Sequence, residues 1–299
     1  MKPSSSTKLI GIFGDPVSLS LSPAMQNAAF EQMGIDAVYL AFHVPARPAA
    51  VLKTAVSSIK ALGFMGVNIT VPHKEKVIEF LDSVDGEAVD IGAVNTIVNK
   101  AGKLTGYNTD ARGYIESLRQ ETGFSSQGKN AVVIGAGGAS RAIAFALLKA
   151  GAKRLVIANR TLRRGQTLSR ALKKKFLKAE ITVAPLDKKF LRSVAEDSLL
   201  IVNTTSLGMA GNEELDFPLY ALPTDAVVSD IVYRPHDTGF IKKALVRGLN
   251  VHRGLGMLSH QGALAFELWT GKKAPLDIMR MAALKALKFP AKNRGEFDK

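Results

Sequence analysis

The 299-residue chain has no cysteine. Disulfides, thiolate nucleophiles and cysteine-ligated metals are therefore excluded, and a reducing, cytoplasmic setting fits. No apolar run reaches the ~20 residues needed to cross a bilayer. Residues 131–134 and 199–202, for example, stop at Gly135 and Asn203. A soluble chain with no membrane partner is expected. The Ser-rich start, residues 1–8, has no apolar stretch and reads as a frayed tail rather than a secretory signal. The five histidines, His43, His73, His236, His252 and His260, lack metal-ligand spacing, so no metal is expected. Acidic residues are the minority, 26 against 40 Lys and Arg, for a net charge of +14. That excess suits either a nucleic-acid binder or an enzyme of anionic ligands. The densest basic stretch, 160–192, places its lysines opposite Leu168, Leu172 and Phe176, as a solvated helix face does. No aromatic-basic recognition motif accompanies it, and no nucleic-acid partner is expected.

What is present is an alternation of strand-like and helix-like segments. Strands are expected at 8–14, 38–44, 64–70, 93–99 and 104–108, with helices at 23–33, 49–62, 75–81 and 87–91. Pro23 opens the first helix and Gly34 follows it. Residues 100–103 suit a hairpin turn. A helix from Asp110 to about residue 121 leads to strands at 130–135, 154–159, 180–184, 199–204 and 227–232, alternating with helices. Their nearly continuous β-branched character predicts a parallel sheet covered on both faces. Two helices, 258–269 and 276–288, end the chain. The expected architecture is α/β: a substrate-binding domain over 1–109, a Rossmann-type dinucleotide-binding domain over 110–248, and C-terminal helices, 249–299, returning to the first domain.

Between the strand at 130–135 and the following helix lie Gly135, Ala136, Gly137, Gly138 and Ala139. Glycines there allow a tight turn and close backbone approach to a pyrophosphate, and the helix N-terminus adds a partial positive charge. Ser140 stands where a third glycine is usual and is still small. At the end of the next strand an NAD site carries an acidic residue for the ribose 2′-hydroxyl. This chain has Asn159, Arg160 and Thr161, with Arg164 in the following turn. A guanidinium pairs with a 2′-phosphate that a carboxylate would repel, so NADP is the expected cofactor.

The first segment must supply the substrate site. Ser18, Ser20 and Ser22 sit between a strand and a helix, where hydroxyls either cap the helix, with Ser22 before Pro23 the N-cap candidate, or bind a carboxylate. Lys74 ends Asn68-Ile69-Thr70-Val71-Pro72-His73-Lys74 just after a strand, and Asp110 closes Tyr107-Asn108-Thr109-Asp110. With Ser20 to Pro23, Gly92 to Thr96, the glycine turn, Asn203 to Ser206, Asp230 to Tyr233 and Gly256 to Gln261, these motifs in this order resemble the shikimate dehydrogenase family along nearly the whole chain. The resemblance implies reversible NADPH-dependent reduction of 3-dehydroshikimate to shikimate on the route to aromatic amino acids. It implies Ser20 and Ser22 at the substrate carboxylate, Thr70, Asn95, Tyr233 and Gln261 around the ring, and Lys74 with Asp110 as the catalytic pair. Ile231 and Gly254 would lie by the nicotinamide. Leu19 and Ala111 depart from the family, which often has histidine and glycine there. A homodimer is compatible with this reading. The alternatives are a dual-specificity quinate/shikimate dehydrogenase and a non-catalytic nucleotide-binding regulator; presence of both Lys74 and Asp110 disfavours the regulator.

Elementary chemistry points the same way. Ketone reduction needs hydride at carbon and a proton at the oxygen as negative charge develops. A lysine ammonium can supply that proton, and the free amine can take it back in reverse.

Overall fold

The computed structural model describes residues 3–209 and 212–288. The first two residues of the expected tail and the chain after Lys288 lie outside them. From Ser4 onward the tail is tied down, because the Ser6 and Thr7 hydroxyls donate to the Asp36 carboxylate at 3.0 and 2.7 Å.

The first sheet begins with β1 (Lys8–Gly14), α1 (Ser22–Gln32), β2 (Ala37–His43), α2 (Ala49–Ala61) and β3 (Gly66–Ile69). A 3₁₀ turn, Lys76–Phe80, stands in place of the helix expected at 75–81. It is followed by β4 (Ser83–Val84), α3 (Gly86–Ile91), β5 (Thr96–Lys100) and β6 (Lys103–Tyr107). Strand order is β2-β1-β3-β5-β6-β4. β1 runs parallel to β2 and β3, and β5 is antiparallel to β3 and β6. At the β5–β6 hairpin Ala101 and Gly102 have φ of 50° and 83°, the left-handed pair that a tight two-residue turn requires.

The second sheet collects α4 (Asp110–Thr122), β7 (Asn130–Ile134), α5 (Gly138–Lys149), β8 (Arg154–Ala158), α6 (Leu162–Lys173) and β9 (Glu180–Ala184). It continues with α7 (Lys188–Ala195), β10 (Leu200–Asn203), β11 (Val227–Asp230), α8 (Gly239–Val246) and β12 (Asn250–Arg253). All its strands are parallel, in the order β12-β11-β10-β7-β8-β9. This is the doubly wound order, whose switch point lies between β7 and β10. β12 was not foreseen, and it carries the sheet past the expected boundary at residue 248.

Buried side chains fill both faces of each sheet. One face of the second sheet packs on α4, α5 and α6 through residues such as Tyr114, Ile143 and Leu168; the other packs on α7 and α8 through Leu191 and Phe240. α2 and the 3₁₀ turn cover one face of the first sheet, and α1 covers the other. The chain then returns. α9 (Gly254–Thr270) and α10 (Leu276–Leu287) bury Phe266, Trp269 and Met279 against α1, β1 and β2, as expected. Phe30 stacks on Phe266 at 5.4 Å, and the Trp269 indole donates to the Ile97 carbonyl at 3.0 Å. Among the described residues no helix is long and apolar enough to cross a membrane.

Candidate active site

Strand direction decides which side chains meet. β1 and β3 are parallel, so the loops leaving them, with Ser20 and Ser22 in one and Thr70 and Lys74 in the other, emerge at one edge of the first sheet. β5 is antiparallel, so Asn95, just before it, stands at that edge. β6 is antiparallel to β5, and its end delivers Asp110 to the same place. Residues 20 to 110 are thus gathered by topology rather than by proximity in sequence.

Lys74 Nζ lies 2.5 Å from Asp110 Oδ2, with the lysine side chain 17% exposed and the aspartate 4%. The second carboxylate oxygen, Oδ1, accepts from Asn95 Nδ2 at 2.8 Å. Asn95 Oδ1 in turn accepts from the Thr109 backbone at 2.8 Å and from Thr96 Oγ1 at 3.0 Å. Asn108, which sequence reading left without a role, accepts from the Asp110 backbone N–H at 3.0 Å and donates to the Ala93 carbonyl at 2.8 Å. It fixes the backbone from which Asp110 projects. Gln261, on α9, meets Asn95 at 3.4 Å and donates to the Leu258 carbonyl at 2.8 Å. The returning helix therefore supplies one wall of the site.

A buried polar chain continues behind Asn95. Asn68 Nδ2 donates to the Asn95 carbonyl and to Thr96 Oγ1, at 3.1 and 3.0 Å, and the Tyr39 hydroxyl donates to Asn68 Oδ1 at 2.7 Å. The Ser22 hydroxyl and Tyr233 lie beside that phenol. Burial pushes the Tyr39 phenol well above the usual tyrosine range and also raises Tyr233, against the opposing charge of Arg234. Both rings stay neutral hydrogen-bonding groups. Ser22 corrects one expectation. It is the first residue of α1, Leu21 occupies the N-cap, and the backbone N–H of Ser22 is bonded by Ser20 Oγ at 3.2 Å. Ser22 is freed from capping.

The glycine turn stands at the switch point of the second sheet. Gly135 has φ of 118°, and a Cβ there would come within 2.5 Å of Thr204 Oγ1 and 2.8 Å of Ser140 Oγ. Ser140 accepts from the Gly137 N–H at 3.1 Å and shares a 2.6 Å hydrogen bond with Thr204, whose hydroxyl donates to the Ile134 carbonyl. Ser140 and Thr204 lock the turn; neither had been given that task. At Gly137 a Cβ would meet nothing within 4 Å, so the turn faces open space, with Ala136, Gly138 and Ala139 leading into α5. Register places Ala158 beside Ile134, which brings Asn159, Arg160 and Thr161 to the same edge. Asn159 shapes that loop by donating to the Thr161 carbonyl at 2.8 Å. Arg160 is exposed and makes no ion pair among the described residues. Arg164, also exposed, is 3.8 Å from Glu75. The β11–β12 register pairs Asp230 with Arg253, and so sets Ile231 against Gly254 at the start of α9. An open glycine turn, a helix N-terminus and an unpaired arginine fit a dinucleotide bearing an extra phosphate. No cluster of three or more His, Asp or Glu capable of holding a metal occurs among the described residues.

Comparison with known proteins agrees. The model of the shikimate dehydrogenase substrate binding domain matches residues 12–97, that of shikimate / quinate 5-dehydrogenase residues 117–210, and that of the shikimate 5′-dehydrogenase C-terminal domain residues 254–284. The NADP(+) shikimate dehydrogenase of Methanopyrus kandleri is 44% identical, across 94% of this chain and 97% of that protein. That of Moorella thermoacetica is 50% identical, across 92% of both. The Thermus thermophilus shikimate 5-dehydrogenase crystallised with NADP(H) and shikimate superposes with a TM-score of 0.82 at 38% identity, covering 94% of this chain and all of that one. With its sheets, the residues at their facing edges and likeness over nine-tenths of its length in agreement, this chain belongs to the shikimate dehydrogenase family.

Proposed function

We propose that the protein catalyses the reversible NADP-dependent interconversion of 3-dehydroshikimate and shikimate, with Lys74 and Asp110 as its proton-transfer pair. The observation that carries this reading is the 2.5 Å contact between Lys74 Nζ and Asp110 Oδ2 at the edge facing the glycine turn. Residues 3–109 with α9 and α10 would form the substrate domain, and 110–253 the nucleotide domain. NADP would be held by Gly135, Ala136, Gly137, Gly138 and Ala139 at its pyrophosphate and by Asn159, Arg160, Thr161 and Arg164 at its phosphorylated ribose. Ile231 and Gly254 would flank the nicotinamide, and the bound cofactor supplies or accepts the hydride.

Ser20 and Ser22 present hydroxyls to the substrate carboxylate, while Thr70, Asn95, Tyr233 and Gln261 fix the ring. During reduction the Lys74 ammonium gives its proton to the carbonyl oxygen as charge develops there. In the oxidative direction neutral Lys74 takes the hydroxyl proton. Asp110 holds the amine in line, and Asn95, occupying the other carboxylate oxygen, prevents Asp110 from turning away. A cytoplasmic homodimer completes the proposal.

Lys74→Met tests it. Turnover should fall by about two to four orders of magnitude with folding and NADP binding intact; near-normal kcat would remove Lys74 from proton transfer. A dual quinate/shikimate activity is the second reading, favoured by the family model covering 117–210. Quinate carries an extra hydroxyl beside the carboxylate. Leu21 is buried in the core, leaving partly buried Leu19 as the apolar neighbour of Ser20. An unpaired hydroxyl buried there costs ~1 to 3 kcal/mol. The same assays should show kcat/KM for shikimate at least about tenfold above that for quinate; parity would establish the dual enzyme.

A further inference from the structure

Glu75 follows Lys74 directly and reaches from the loop after β3 to the helices of the second sheet. Its carboxylate accepts from Arg141 Nε at 3.0 Å and lies 3.8 Å from the Arg164 guanidinium. Arg141 is in the first turn of α5 and Arg164 in the first turn of α6, so one side chain of the substrate domain reaches two helices of the nucleotide domain. The Arg141 side chain is only 13% exposed. Further out, Glu87 pairs with Lys149, and Asp90 with Lys175 at 2.6 Å. In these pairs the acid belongs to the substrate domain and the base to the nucleotide domain. The outer lysines are more than half exposed, so solvent and salt screen those pairs. Arg141 makes the Glu75 pair the sheltered one on its basic side, Glu75 itself being 39% exposed, and this pair adjoins the chemistry.

The lysine beside it is gripped from two sides. The Lys74 carbonyl accepts from the Val94 N–H at 2.8 Å, which ties its backbone to the first sheet. The stem of its side chain runs against α5, where a Cβ on Gly138 would come within 2.8 Å of the Lys74 Cβ. The separation of α5 from the first sheet therefore sets where the Lys74 ammonium stands. Misplacing a reacting group by about an ångström costs rate far more than binding.

We propose that Glu75 is a positioning residue: by pairing with Arg141 and Arg164 of the second sheet's helices, it holds α5 against Lys74 and fixes the register in which the Lys74–Asp110 pair transfers its proton. The proposal rests on the reading of Lys74 as the proton donor. Ser20 and Ser22 lie on the β1–α1 connection and the start of α1, away from the segment that carries Glu75, so anchoring of the substrate carboxylate does not run through the clamp.

The test is a double-mutant cycle of Glu75→Gln, Arg141→Gln and the double variant, assayed for shikimate oxidation with NADP. Each single change should lower kcat about tenfold while the KM for shikimate stays within about threefold of the parent. The double variant should be no slower than the slower single, because both remove the same contact. A Glu75→Gln kcat within twofold of the parent overturns the proposal. So does a loss that falls on the shikimate KM alone, or two effects that multiply in the double variant. Lys74→Met, measured alongside, separates the layers. If it keeps near-parent turnover, the proton-transfer reading fails. If it is inactive while Glu75→Gln is unimpaired, only the clamp fails.

Discussion

Arg160 follows β8 with its side chain exposed and no ion pair among the described residues, whereas Arg164 shares the field of Glu75. An anion arriving at this corner gains a charge-assisted hydrogen bond from Arg160 at little cost. Replacing both arginines with alanine should raise the KM for NADP by ten- to a few-hundredfold, from roughly 1.5 to 3 kcal/mol per lost contact before non-additivity. The KM for NAD should change by no more than about threefold. An unchanged NADP/NAD ratio in steady-state assays would refute the assignment. The sequence singles these residues out because an arginine where an acid is usual is a change of charge at a fixed position. Asn68, Tyr39, Asn108 and Thr204 do not stand out in that way. A buried amide or hydroxyl looks like any polar residue in a string of letters, and its value lies in partners 15 to 70 positions away. Ser22 had two readings, as N-cap before Pro23 or as a carboxylate ligand; the structure puts Leu21 at the N-cap and bonds the Ser22 N–H to the Ser20 hydroxyl, which removes the first.

Elements with strong periodicity were found almost to the residue, while those made by tertiary context were missed. β4 has two residues and no pattern to read. β12 reads Asn-Val-His-Arg, polar enough to pass for a loop, yet His252 is fully buried between the Ser117 and Ser229 hydroxyls at 2.8 and 2.9 Å. Its neighbour β11 ends in buried Asp230, whose carboxylate accepts from Asn203, the Val232 N–H and Thr238. These adjoining strands respond to pH with opposite signs. Burial, with a smaller repulsion from His260, pushes His252 down to about 3. Its contribution to stability is present above the unfolded value and is lost as pH falls toward 3. Burial, aided by Glu214, pushes Asp230 up to about 6 against its three hydrogen bonds. Its contribution is complete below about pH 4 and is lost as pH rises through 6, a change on the order of 3 kcal/mol. Asp230→Asn can keep the Asn203 and Val232 contacts and cannot ionise. The melting temperature of this variant relative to the parent should therefore rise by several degrees between pH 4.5 and 7.5. A constant difference across that range would show that Asp230 titrates at an ordinary value.

At the scale of the molecule, α9 joins the two halves. It starts at Gly254 against Ile231, by the proposed nicotinamide position, and ends with Trp269 in the core of the first sheet, packed 6.1 Å from Tyr39. Patterning showed the C-terminal helices but not what they pack on, and α9 as a continuous rod from cofactor edge to substrate core was not foreseen, because the expected helix began only at 258. Trp269 is the single tryptophan of the chain, so its fluorescence reports on the first sheet alone. NADP would make most of its contacts with the second sheet. Saturating it at about a hundred times its Kd stabilises whatever unfolds together with its site by ~2.7 kcal/mol. If α9 and the Glu75 seam bind the halves into one cooperative unit, the Trp269 fluorescence midpoint in urea should move upward on adding NADP, in step with the far-ultraviolet circular dichroism. A Trp269 midpoint that stays in place while the dichroism shifts would mean that the halves unfold separately and that α9 parts between them.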